Sequence, residues 1–183
     1  MKVIDLHYDL NQLLHQAIRN DRRAQKVMYQ KYSPKLLSIC RQYISDMHTA
    51  EDVMVTAFMK IFTNLSRFEH RGNFEGWMSR IAVNECISHI RGNKIMWFAE
   101  DNDIVSEVCN ADIDLQTRDI QTMIDTLPYG CKMVFNLFVV EGYKHMEIAD
   151  MLDITEGTSK SQLAYARKLL QQMLQQDKII NHG

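Results

Sequence analysis

Proline and glycine are scarce in this chain of 183 residues, with two prolines and seven glycines. That scarcity excludes collagen-like and Pro/Gly-rich low-complexity architectures. The four cysteines, Cys40, Cys86, Cys109 and Cys131, include no CxxC pair. The dispersed thiols are therefore expected to be reduced and mostly core-filling rather than metal-binding. The seven histidines do not cluster at ligand spacing, so no metal site is expected. No apolar run approaches the roughly 20 residues that span a bilayer, and no membrane insertion is expected. The start, MKVIDLHYDLNQLLHQ, carries acidic residues inside its apolar pattern and no small-residue cleavage site. It does not read as a signal peptide, and a cytoplasmic protein is expected. A phosphate-binding glycine loop, a nucleophile elbow, an HExxH motif and paired acid/base spacing are all missing. Neither enzymatic activity nor a cofactor is expected.

The composition, 46% hydrophobic and 24% charged, suits one medium domain or two small ones with modest cores. The net charge of −2 argues against nucleic acid until its distribution is considered. Residues 1–94 carry 14 Lys/Arg against 9 Asp/Glu, residues 95–117 none against 6, and residues 118–183 carry 7 against 8. Segments of different sign suit segments with different partners, and they equally suit uneven surface solvation.

Helical periodicity runs through most of the chain. Leu6, Leu10, Leu13, Leu14 and Ile18 mark a first helix ending near Asn20, and Asp21 to Tyr32 a second. Ser33-Pro34 predicts the start of a third, because proline suits a first turn. Thr49-Ala50-Glu51-Asp52 predicts the capped start of a fourth. Arg67 to Gly76 reads as a loop, followed by a fifth helix from Trp77 to Gly92. Periodicity lapses in WFAEDNDIVSEVCNADIDLQT, too long for an ordinary connection. It returns at Ile120, and Pro128 opens a helix through Phe138, with Gly142 as its C-cap. The expected fold is all-α: two small helical domains, 1–94 and 118–183, joined by an acidic flexible linker over 95–117.

In the second domain, Lys144 to Leu152 and Glu156 to about Gln175 are separated by Asp153-Ile154-Thr155. This spacing fits a helix-turn-helix, with Ala149 allowing close helix approach and Thr155 as N-cap. A plain helical hairpin has the same spacing. Thr158, Ser159, Lys160, Ser161, Gln162 and Tyr165 then fall near the N-terminal half of the second helix, where base edges and phosphates are met. Arg167 and Lys168 suit phosphates.

Leu127-Pro128, Val134-Phe135, Glu141-Gly142, Glu147-Ile148-Ala149, Leu152, Ile154, Gly157-Thr158, Lys160-Ser161, Ala166-Arg167 and Leu170 together resemble region 4 of an extracytoplasmic-function (ECF) sigma factor, a compact branch of the sigma-70 family. The resemblance extends to region 2 in Tyr32-Ser33-Pro34, Ala50-Glu51-Asp52-Val53, Phe58, Ile61-Phe62, Phe68, Phe74, Trp77, Arg80-Ile81-Ala82, Asn84 and Arg91. It implies a promoter-specificity subunit that binds bacterial core RNA polymerase and opens promoter DNA, in some relatives held inactive by an anti-sigma factor. Region 4, with Thr158, Ser159, Lys160, Ser161, Gln162, Tyr165 and Arg167, is then expected on the −35 duplex. Region 2, with Phe68, Arg71, Asn73, Trp77, Arg80 and Asn84, is expected on the single-stranded −10 element. Polymerase contacts are expected at Glu51, Asp52 and Phe58.

Two departures from the family pattern stand out. Val55-Thr56 replaces a usual Gln-Glu on the polymerase-docking helix, and Gln162 and Tyr165 replace frequent arginines. Arginine favours guanine and glutamine adenine, so a promoter preference unlike that of arginine-rich relatives is expected. A self-sufficient helix-turn-helix regulator, whose N-terminal bundle senses a ligand or dimerises, is the competing function. Transcription by purified core enzyme from a linear promoter separates the two.

Overall fold

The computed structural model describes residues 10–68, 73–92 and 120–180, with backbone alone over 176–180. The chain divides into two compact units, one ending at His89 and the other beginning at Ile90. The linker expected over 95–117 lies outside the described residues. Among the described residues every regular element is helical.

In the first unit, α1 (Leu10–Ile18) buries Leu13, Leu14 and Ala17. The chain turns at Asn20 (φ 61°), a left-handed conformation that asparagine tolerates better than most residues. Asp21 then caps α2 (Arg22–Tyr43), its Oδ1 accepting from the amides of Arg23 at 2.7 Å and Ala24 at 3.2 Å. The two helices expected over 21–44 are one. Ala24, Met28, Tyr32, Leu36, Ile39, Cys40 and Tyr43 form a continuous buried stripe through Pro34. Proline withholds one hydrogen bond from the carbonyl four residues earlier. Pro34 and Gln30 both lie on the exposed face, so water can take up the freed carbonyl while packing holds the helix together.

The next helix, α3 (Met47–Asn64), starts before the expected Thr49 because Asp46 is its cap. Asp46 Oδ2 accepts from the Thr49 amide at 2.8 Å and the Thr49 hydroxyl at 2.7 Å. Its buried side carries Ala50, Val53, Met54, Ala57, Phe58 and Ile61, at the spacing of one helical face. A short 3-10 turn, Leu65–Arg67, follows. The next helix, α4 (Phe74–Gly92), begins three residues before Trp77 and runs just past the boundary between the units. Asn73 Oδ1 accepts from the Glu75 amide at 3.0 Å, which supplies a cap that moves Phe74–Gly76 from loop into helix. Phe74, Met78, Ala82, Val83, Cys86, Ile87 and Ile90 on α4 are buried.

The second unit contains α5 (Ile120–Asp125), α6 (Tyr129–Phe135) and a π-helical turn over Asn136–Val140. Gly142 follows at φ 77°, the left-handed backbone that ends this run as expected. The remaining helices are α7 (His145–Leu152) and α8 (Glu156–Ile180), the latter five residues longer than its periodicity predicts. Ile124, Leu127, Cys131 and Ala166 form a core between α5, α6 and α8, flanked by Phe135, Leu169 and Leu170.

Candidate nucleic-acid interfaces

The turn between α7 and α8 is built by three consecutive residues. Asp153 adopts left-handed backbone (φ 57°, ψ 45°), and the Ile154 amide donates to the Ala149 carbonyl at 3.1 Å. Thr155 Oγ1 accepts from the Thr158 amide at 3.0 Å, satisfying a first-turn donor of α8. At the entry to α7, the Lys144 amide donates to the Glu147 carboxylate at 2.7 Å. These local bonds define the helix-turn-helix angle.

On α8, Lys160, Ser161, Tyr165 and Arg167 are exposed and Thr158 is half-buried. Lys160 Nζ lies 2.7 Å from Glu156 one turn earlier, and this partner holds the Glu156 carboxyl below its usual range. Any anion approaching Lys160 must therefore compete with Glu156. The Arg167 guanidinium lies over the Phe138 ring, 5.8 Å from its centroid.

One expected contact, Ser159, is corrected, and Gln162 is found partly turned toward the protein. Ser159 is fully buried, and its Oγ lies 2.9 Å from Nδ1 of His145, so it joins α7 to α8 rather than facing DNA. Gln162 is half-buried, its amide lying against Gly130 of α6 and its Oε1 buried without a hydrogen bond. Sequence patterning does not single out His145. Its role is tertiary: the imidazole also stacks on Phe138, with centroids 4.4 Å apart at 21°.

In the first unit a cleft of about 330 Å³ opens between α3 and α4. Trp77, Ile81 and Asn84 line it from successive turns of α4. Lys60 and Asn64 enter from α3, and Arg67 from the 3-10 turn. Lys60 Nζ is 2.6 Å from the carboxylate of Glu85, a mostly buried residue that also lines the cleft. Lys60, Asn64 and Arg67 went unmarked in the sequence, although their spacing of four and three residues puts them on one helical side.

The Trp77 indole stacks on the buried Phe74, with centroids 5.8 Å apart at 24°, and lies 5.5 Å from Phe68. Phe68 packs edge-on against Phe74 at 5.1 Å. Thus Trp77 and Asn84 come together in the cleft, with Phe68 behind the indole. Arg80 is exposed on the same side of α4 but is not part of the lining. Asn73 serves as the α4 cap described above, and Arg71 lies outside the described residues.

Along α3, Asp52 is exposed and Glu51 is half-buried, 3.9 Å from His48 Nδ1. Phe58 is not a contact residue. It is buried, 4.7 Å from the Tyr29 ring and 5.8 Å from Phe62, where it seals α2 against α3. The accessible face instead presents Asp52, Val55, Thr56 and Met59, and Met59 is 66% exposed. Among the described residues, no group of His, Cys, Asp and Glu is arranged to hold a metal, and no helix is long and apolar enough to cross a membrane.

Residues 28–95 match the family model for sigma-70 region 2, and residues 117–170 match sigma-70 region 4. The RNA polymerase sigma-H factor of Pseudomonas aeruginosa is 27% identical over 183 residues, covering 90% of this chain and 93% of that protein. The ECF RNA polymerase sigma factor SigW of Bacillus subtilis is 26% identical over 176 residues, with 88% and 94% covered. Among solved structures, the sigma factor RpoE of Bartonella quintana, determined in complex with the anti-sigma factor NepR, matches at a TM-score of 0.48. It is 23% identical, with 82% of this chain and 96% of that chain covered.

Proposed function

As a member of the extracytoplasmic-function branch of the sigma-70 family, this chain binds bacterial core RNA polymerase and directs promoter recognition and opening, and we propose that its two helical units divide that work. Residues 1–94 dock on polymerase and hold the opened −10 strand, residues 118–183 hold the −35 duplex, and residues 95–117 tether them. Tethering makes the second contact effectively intramolecular, so neither unit needs high affinity alone. The chain acts by binding, without catalysing a reaction, where cytoplasmic polymerase meets DNA.

In the cleft, Trp77 offers a stacking surface, Asn84 a hydrogen-bonding amide, and Arg67 positive charge for the backbone, beside the Lys60–Glu85 ion pair. That combination suits single-stranded DNA, whose unpaired bases stack on aromatic rings. Phe68 supports the indole, while Arg80 attracts the strand from outside the cleft lining, and Arg71 adds a positive charge to the same stretch of sequence. Asn73 contributes by fixing the start of α4. On α8, Ser161 and Tyr165 face base edges, Lys160 and Arg167 face phosphates, and Thr158 flanks them. Glu51, Asp52, Val55 and Met59 form the polymerase contact, apolar at its centre and acidic at one end.

The observation that carries this reading is one chain holding both a capped helix-turn-helix and a separate cleft in which an indole, an amide and the Arg67 guanidinium meet beside the Lys60–Glu85 ion pair. The test is transcription from a linear promoter by core polymerase with and without the purified chain. Specific starts are expected only with the chain, together with permanganate-reactive thymines around the start site. Binding to duplex DNA with no association to core polymerase would instead identify a free-standing regulator.

A further inference from the structure

Gly130 is the second residue of α6, and its φ is not positive, so the backbone there does not require glycine. Glycine inside a helix is less stable than alanine. The reason for it lies in what occupies the adjoining space. A Cβ built on Gly130 would lie 2.7 Å from Nε2, 3.3 Å from Cδ and 3.4 Å from Oε1 of Gln162. The Gln162 amide therefore rests over the Gly130 α-carbon, where any side chain would stand.

We propose that Gly130 determines promoter specificity at one remove, by leaving a recess that withdraws the Gln162 amide from the DNA-facing side of α8. The inference rests on the reading of α8 as the duplex-reading helix. Gln162 sits at the edge of that side, one turn from Thr158 and one turn from Tyr165. At its oxygen end the amide is held by no hydrogen bond, since Oε1 is buried and accepts none, so displacing that oxygen breaks no bond and relieves an unpaired acceptor. A methyl group at 130 meets only the far end of a flexible side chain, so it displaces the amide while leaving the helices in place. Once displaced, the amide lies beside Thr158 and Tyr165 and can pair with an adenine edge, the usual base partner of glutamine. In the native chain Gln162 is then silent in base choice, and Ser161 and Tyr165 carry it.

The experiment uses full-length chain with core polymerase and a promoter library randomised over the −35 element. It compares the wild type, Gly130→Ala, Gln162→Ala and the double variant. The wild type and Gln162→Ala are expected to enrich the same sequences. Gly130→Ala is expected to raise adenine about tenfold at one position, in the range of a good bidentate pair, and the double variant to lose that gain. Thermal melting checks that Gly130→Ala is at least as stable as the wild type. A folded Gly130→Ala with unchanged preference overturns the inference. So does an altered preference in Gln162→Ala alone, which needs no change at 130 and shows that native Gln162 reads a base. If the wild type enriches no −35 sequence, the underlying reading of α8 fails first.

Discussion

Nδ1 of His145 lies 2.9 Å from Oγ of Ser159, joining the first turn of α7 to the first turn of α8. The same imidazole stacks on Phe138, whose ring also lies beneath Arg167. Ser159 is fully buried and His145 half-buried, so removing the imidazole strands the hydroxyl and removing the hydroxyl leaves a half-buried ring nitrogen without this partner. Leaving one buried partner unpaired costs about 1–3 kcal/mol, whereas removing both is nearly neutral. Ser159→Ala and His145→Phe are each expected to lower the denaturation midpoint, and the double variant to lose less than the sum. Additive losses in a double-mutant cycle would show that the two groups are not coupled.

The pH dependence of α3 follows from its cap. The Thr49 amide, and then the Thr49 hydroxyl, donate to Asp46 and hold its carboxyl below the usual range. A carboxyl whose folded pKa is lowered stabilises the fold fully above its unfolded value, about 3.9, and loses that contribution as pH falls through the folded value. Asp46→Ala is therefore expected to reduce the melting temperature at pH 7, with the gap narrowing toward pH 2–3. Melts at the two pH values provide the comparison, and an equal gap at both excludes the carboxylate as the source.

Promoter opening should depend on Trp77. Stacking of one base on an aromatic ring contributes about 1–3 kcal/mol, so Trp77→Ala is expected to reduce open complexes by roughly one order of magnitude. Trp77→Phe should fall between it and the wild type, and Asn84→Ala should also open poorly. Permanganate footprinting measures opening and co-purification measures polymerase binding, which is expected to persist. Loss of binding in parallel with opening would assign Trp77 to docking or folding instead.

The free thiols of Cys40 on α2 and Cys86 on α4 are both fully buried. The neighbouring thiol and burial push the Cys86 pKa far upward, so its thiolate is scarce at neutral pH. The thiolate is the nucleophile, and here reagent must also enter a closed core. Iodoacetamide at pH 8 is expected to label neither residue in the native protein and both after unfolding. Peptide mapping by mass spectrometry follows the reaction, and rapid native labelling of either would show that α2 and α4 part readily.

Much of the fold was legible because helical periodicity is a local property. The buried stripes of α2, α3 and α4 and the cap at Thr155 follow from neighbours in the chain. The boundaries were less legible. Pro34 and Thr49 look like helix starts by residue type, but continuous packing through Pro34 and the better-placed Asp46 decide otherwise. Site residues divided along similar lines. Trp77 and Asn84 share a helical face, so their meeting follows from spacing, whereas Lys60, Asn64 and Arg67 join them only because α3 lies beside α4.

By itself the sequence determined an all-helical chain, the segment that turns between α7 and α8, and the family whose two regions it carries. Tertiary structure alone decided which side chains of those helices remain available to a partner. Phe58 and Ser159 each occupy positions that suit contact, yet each is buried against something distant in the chain, Tyr29 and His145. Helical spacing specifies the direction in which a side chain leaves its own helix, but only the packed neighbour decides whether that direction ends in solvent, in a hydrogen bond or against another backbone.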